Sequence, residues 1–109
     1  MNMSERRQNQ RHTVQLAVEL EFSGQQLECA SADVSIGGIR LVLPDGFVLG
    51  VGDRVDVKFR LPALEATVSA PAVVRWVDRI DERSCGLQFT VGLRAREVWA
   101  INCLFDAAM

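Results

Sequence analysis

The sequence predicts an all-β domain: a six-stranded antiparallel small barrel followed by one C-terminal α-helix. Three observations carry that expectation. Apolar and polar residues alternate with period two in successive short segments, turn residues recur between them, and after residue 92 the pattern changes to helical spacing without glycine or proline. Closing short antiparallel strands into a barrel removes the unpaired edges that a flat sheet would expose.

The elements follow in order. Residues 1–12 are almost entirely polar and read as a flexible arm, leaving 13–109 as a single barrel domain with its helix at about 93–108. Val14, Leu16, Val18, Leu20 and Phe22 alternate with Gln15, Ala17, Glu19 and Glu21, which predicts a strand over 14–22 with one apolar face. The stretch "SGQQ" at 23–26 supplies a turn glycine, Gly24, and Leu27 to Val34 returns as the second strand of a hairpin. Residues 39–43, "IRLVL", form the third strand, interrupted by Pro44, Asp45 and Gly46, and "GVGD" at 50–53 is a further turn.

Val55, Val57, Phe59 and Leu61 then alternate with Arg54, Asp56, Lys58 and Arg60 until Pro62 ends the strand. A longer strand over 66–77 places Val68, Ala70, Ala72, Val74 and Trp76 on one face, with Pro71 at a bulge or edge position. The charged "DRIDERS", 78–84, connects it to Cys85, Leu87 and Phe89. Chain order makes this a meander. In the helix, Leu93, Val98, Ile101, Leu104 and Phe105 recur at spacings of three and four, with Trp99 beside them, as expected of a helix packed across a barrel opening.

Composition narrows the function. The chain of 109 residues fits one domain, and 49% hydrophobic residues suffice for a modest core. Fourteen acidic against twelve basic side chains give a net charge of −2, which argues against a nucleic acid polymer as partner and makes any anion site local. A secretory signal and a membrane-length apolar run are both missing from the sequence, so a soluble, cytoplasmic protein without membrane insertion is expected. Cys29, Cys85 and Cys103 are widely spaced and accompanied by one histidine, His12, which supplies neither a disulfide framework nor a metal-ligand spacing. They read as buried structural thiols. With no carboxylate pair at a supporting spacing and no cysteine near a base, the chain does not read as an enzyme, and no cofactor or metal is expected.

Two stretches remain. "DVSIGG", 33–38, reads either as a tight turn or as an anion and base site. In the first, Asp33 and Ser35 cap their own backbone and Gly37 or Gly38 supplies a positive φ. In the second, Asp33 accepts from a guanine N–H edge, Ser35 donates to a phosphate, and a glycine lets a ligand approach the backbone. "RRQNQRH", 6–12, reads as a solvated basic arm or as the missing positive charge, since the guanidinium forks of Arg7 and Arg11 suit phosphate oxygens or the O6/N7 edge of guanine.

Together, "RQNQR" at 7–11 and "DVSIGG" at 33–38 resemble the signature of the PilZ domain, R-x-x-x-R followed by D/N-x-S-x-x-G. The resemblance spans the chain, because PilZ domains are six-stranded split-type barrels followed by a helix. It implies a bacterial receptor and adaptor for the second messenger cyclic di-GMP that changes conformation on binding and signals to an effector protein. By motif position, Arg7 and Arg11 would contact guanine edges and phosphates, Asp33 a guanine N–H edge and Ser35 a phosphate or guanine. Gly37 and Gly38 would allow close approach. The residue before the arginine motif looks like a determinant of stoichiometry, and Arg6 in that place implies two ligand molecules per chain. The alternative is a protein-interaction scaffold of PilZ fold that does not use the nucleotide.

Overall fold

The computed structural model describes residues 12–80 and 83–107. Its elements are β1 (His12–Thr13), β2 (Ala17–Phe22), β3 (Gln25–Ser35), β4 (Gly38–Val42), β5 (Arg54–Arg60), β6 (Thr67–Val77), β7 (Ser84–Phe89) and α1 (Ala95–Ala107). Hydrogen bonding runs in the order β3-β2-β5-β6-β7-β4, and β4 pairs back onto β3, so six antiparallel strands close on themselves as the alternation predicts. The short β1 adds to the outer side of β3.

The closure is not a meander. β4 turns to β7 and β5 returns to β2, because the connection between β4 and β5 is not a tight turn. It is a segment whose Leu43 and Leu49 are buried in the common core. Its backbone is tied down by Leu43 N–H donating to Arg83 C=O and Gly52 N–H donating to Val74 C=O. Two apolar anchors hold this loop against the barrel, and the next strand starts on the far side.

Local chemistry sets the strand ends. Residues 14–16 were expected to be strand but are not, because the Ser31 hydroxyl accepts the Leu16 N–H and donates to Val14 C=O, drawing this segment into an irregular path beside β3. The β2–β3 turn has only two residues, Ser23 and Gly24, with φ of 52° and 78°. A positive φ at both central positions matches the right-handed twist of the flanking strands. Pro71 pairs with Asp56, and its carbonyl accepts the Thr90 N–H just past the end of β7, so its missing donor falls where that ladder runs out.

Trp76 departs from expectation. A register irregularity between Val74 and Trp76 inserts Arg75 and turns the indole outward, where it is 42% exposed. The inward set of β6 therefore ends at Val74. The core runs through Leu20, Val34, Ile39, Leu41, Val57 and Phe59, with the Phe59 and Phe89 rings stacked at 6.3 Å. Ala100, Ile101 and Leu104 of α1 join it, and the helix approaches β1. Glu97 accepts the Arg94 N–H, the return half of a capping box, which fixes the helix start.

Of the cysteines, Cys85 is buried, while Cys29 and Cys103 are partly buried. Burial is the main cause that pushes both the Cys29 and Cys85 thiols up to about 11, helped at Cys29 by the neighbouring Cys85 and opposed at Cys85 by a backbone hydrogen bond at Leu41. An unfolded thiol ionises near 9.0, so folding favours the protonated form, and that contribution is complete below pH 9.0 and lost as pH rises through about 11. The melting temperature is expected to fall across this window, and to fall less in Cys29→Ala/Cys85→Ala. An equal alkaline fall in both proteins would remove the thiols as its cause.

Candidate functional site

The motif residues gather at the β3–β4 junction. Ser35 pairs with Gly38 across the two-residue turn Ile36–Gly37, which sets Asp33 opposite Arg40 and Val34 opposite Ile39. A register irregularity between Ser31 and Asp33 precedes them. Val34 and Ile39 go into the core, while Asp33 and Arg40 lie on the outer face.

There the Arg40 Nε lies 3.0 Å from Asp33 Oδ2 in an ion pair, with the arginine side chain 44% exposed and the aspartate 11%. The carboxylate is thus held low against the sheet under a partly exposed guanidinium. Ser35 is buried, and its hydroxyl lies 3.4 Å from the Gly38 carbonyl, the local contact that the turn reading anticipates.

The glycines behave differently from the turn expectation. Positive φ occurs at Gly24, Gly46 and Gly52 among the described glycines, and at neither Gly37 nor Gly38. Gly38 has another reason to lack a side chain: a Cβ there would collide with the Leu87 carbonyl oxygen of β7 and lie 3.3 Å from its carbon. Close approach of β4 to β7 in the closed barrel, rather than a left-handed backbone, requires glycine. The Gly37 carbonyl accepts the Phe89 N–H, which ties the turn to the end of β7.

The arginines Arg6, Arg7 and Arg11 lie outside the described residues. The chain that follows them is placed. His12 pairs with Val34 and Thr13 with Asp33, so the segment leaving the arm runs antiparallel along the motif strand. In sequence Arg11 immediately precedes His12, the partner of Val34.

Two residues that the sequence reading did not select share this face. In register, Asp33 faces Arg40, Arg40 faces Gly86, and Gly86 faces Trp76, a row across β3, β4, β7 and β6. The Trp76 indole lies against Gly86, whose missing Cβ would meet the ring. An aromatic ring thus ends the row that begins with the Asp33–Arg40 pair. Arg40 could have been found from sequence, because a turn that pairs Ser35 with Gly38 also pairs Asp33 with Arg40. Trp76 could not, since its outward placement comes from the bulge.

No metal-binding group of three or more His, Cys, Asp or Glu occurs among the described residues. Nor is any helix among them long and apolar enough to cross a membrane.

Comparison with known proteins agrees with this barrel. MotI/DgrA from Bacillus subtilis, an inhibitor of motility, is 26% identical with a TM-score of 0.75, over 94% of this chain and 51% of that one. The chain thus spans about half the length of that protein. The PilZ domain of YcgR from Escherichia coli, solved with cyclic di-GMP, is 16% identical with a TM-score of 0.72 and 94% of each chain covered. PlzA from Borreliella burgdorferi, in complex with cyclic di-GMP, is 14% identical with a TM-score of 0.54, over 96% of this chain and 38% of that one. Among curated proteins no significant relative is found. The family model for the PilZ domain matches residues 5–106, from before the arginine motif into α1, and the chain belongs to the PilZ domain family.

Proposed function

We propose that this chain is a cyclic di-GMP receptor and adaptor whose binding site is formed by Arg6, Arg7 and Arg11 of the arm with Asp33, Ser35, Gly37 and Gly38 of the barrel. One observation supports the reading: β1 pairs Thr13 with Asp33, so the chain that follows Arg11 in sequence, 22 positions before Asp33, runs beside the strand that carries Asp33. The chemistry is complementary. A cyclic dinucleotide presents two guanines and two phosphates; the arm brings cations, and the strand end brings an acceptor and a hydroxyl.

The arm, residues 1–11 ahead of β1, closes over ligand lying on the barrel. Its ordering is coupled to occupancy, which gives the adaptor a state that an effector can sense. Arg6 adds a third guanidinium that can stack on a guanine or neutralise a second molecule's phosphates, which favours two ligands per chain.

The scaffold reading has one observation in its favour. Trp99 of α1 is 57% exposed beside Leu64, Glu65 and Arg96, where a cavity of about 540 Å³ opens between the helix and the β5–β6 loop. An adaptor needs such a surface as well, so it does not displace the receptor reading.

Hydrogen exchange separates the two. On addition of cyclic di-GMP, amides from Arg6 to His12 and of the Ser35–Gly38 turn are expected to gain protection. No change in either segment at saturating nucleotide would leave the scaffold reading.

A further inference from the structure

We propose that Arg40, which is not part of the PilZ signature, reads the ligand's base together with Asp33 and makes the site selective for guanine over adenine. The inference rests on the receptor reading above. Its ground is the in-register pair on the outer face: the Arg40 Nε lies 3.0 Å from Asp33 Oδ2, and the guanidinium side chain is four times as exposed as the carboxylate, 44% against 11%. Arg40 is thus the more accessible member of the pair.

The pair presents an acceptor and a donor side by side. A carboxylate has two oxygens and accepts only, and a guanidinium carries five N–H groups in a planar fork and donates only. With Nε beside Asp33, the terminal nitrogens remain as further donors on the same guanidinium. Guanine offers the matching order, with N2–H and N1–H as donors next to O6 as acceptor. Adenine carries an N6 amino donor where guanine has O6, and this amino group would face the guanidinium donors.

The surroundings suit this role. Gly86, directly across from Arg40, has no Cβ, and the Trp76 indole lies in the space a side chain there would take. Beyond it Trp76 bounds the row with an exposed ring face. Arg40 itself comes from β4, a strand paired on both sides, so its base position is rigid. A solely structural ion pair would serve Asp33 and be indifferent to the base.

Base selectivity therefore decides. Wild type, Arg40→Ala and Arg40→Lys would be titrated calorimetrically with cyclic di-GMP, cyclic di-IMP and cyclic di-AMP, with thermal melts confirming that each variant is folded. Cyclic di-IMP keeps O6 and lacks the N2 amino group. Arg40→Ala is expected to lose at least tenfold affinity for both O6-bearing ligands, with a smaller loss or none for cyclic di-AMP. Arg40→Lys, which keeps the charge without the fork, should not recover it. Wild-type affinity in Arg40→Ala, equal losses for all three ligands, or full recovery in Arg40→Lys would overturn the assignment. Wild type that binds no cyclic di-GMP would refute the receptor reading itself, an outcome distinct from normal binding by wild type and variant alike.

Discussion

Gly38→Ala is expected to destabilise the barrel by about 3 kcal/mol, at the upper end of the usual cost of overpacking, with no ligand present. The added methyl would overlap the carbonyl oxygen of Leu87, and that atom belongs to the backbone of a paired strand. A side chain could swing away; here β4 or β7 must move, at the seam where β4 also pairs with β3. For a domain of this size the loss corresponds to a fall in melting temperature of roughly 15 °C. Gly86→Ala is the control. Its methyl would meet the outward-facing Trp76 ring, which can rotate, so its cost should be smaller. If Gly38→Ala melts with wild type, the seam is not what demands glycine, and a role in ligand approach would have to account for it alone.

The double variant Arg7→Ala/Arg11→Ala is expected to lose affinity for cyclic di-GMP by a factor of about a hundred or more. A charge-assisted hydrogen bond contributes roughly 1.5 to 3 kcal/mol, so each arginine accounts for at least about tenfold. Both residues belong to the stretch SERRQNQRH, which holds no apolar residue for a core. The melting temperature without ligand should therefore match wild type, separating lost binding from lost fold. Calorimetry with each single variant would show whether the two contributions add. Wild-type affinity in the double variant would remove the arm from the site.

How far the sequence foretold this molecule depends on which physical signal each part carries. β5 was legible because Val55, Val57 and Phe59 alternate with charged residues and the strand is wet on one face. The helix was legible from its spacing and its lack of glycine and proline. Strand order was not, since period-two patterns identify strands without naming their partners. The decisive residues, Leu43 and Leu49, lie in a loop whose burial only the closed barrel reveals. Trp76 was misplaced because one inserted residue shifts the alternation by a face.

In the candidate site, Asp33, Ser35 and Gly38 were legible as a group, since a hairpin turn necessarily juxtaposes them. The reason for Gly38 was not. A sequence cannot distinguish a glycine needed for φ from one needed for space, and here the neighbour is a strand some fifty positions later. Arg40 is placed by the same hairpin but lies two positions beyond the signature's last glycine, so the signature does not name it.

The measurement that tests the central claim most directly is a calorimetric titration of the wild-type chain with cyclic di-GMP beside GTP and cyclic AMP. The receptor reading expects saturable binding of cyclic di-GMP at two molecules per chain, with the other two nucleotides binding far more weakly, and a shift toward one molecule per chain in Arg6→Leu. No heat with cyclic di-GMP, or equal affinity for GTP, would contradict it.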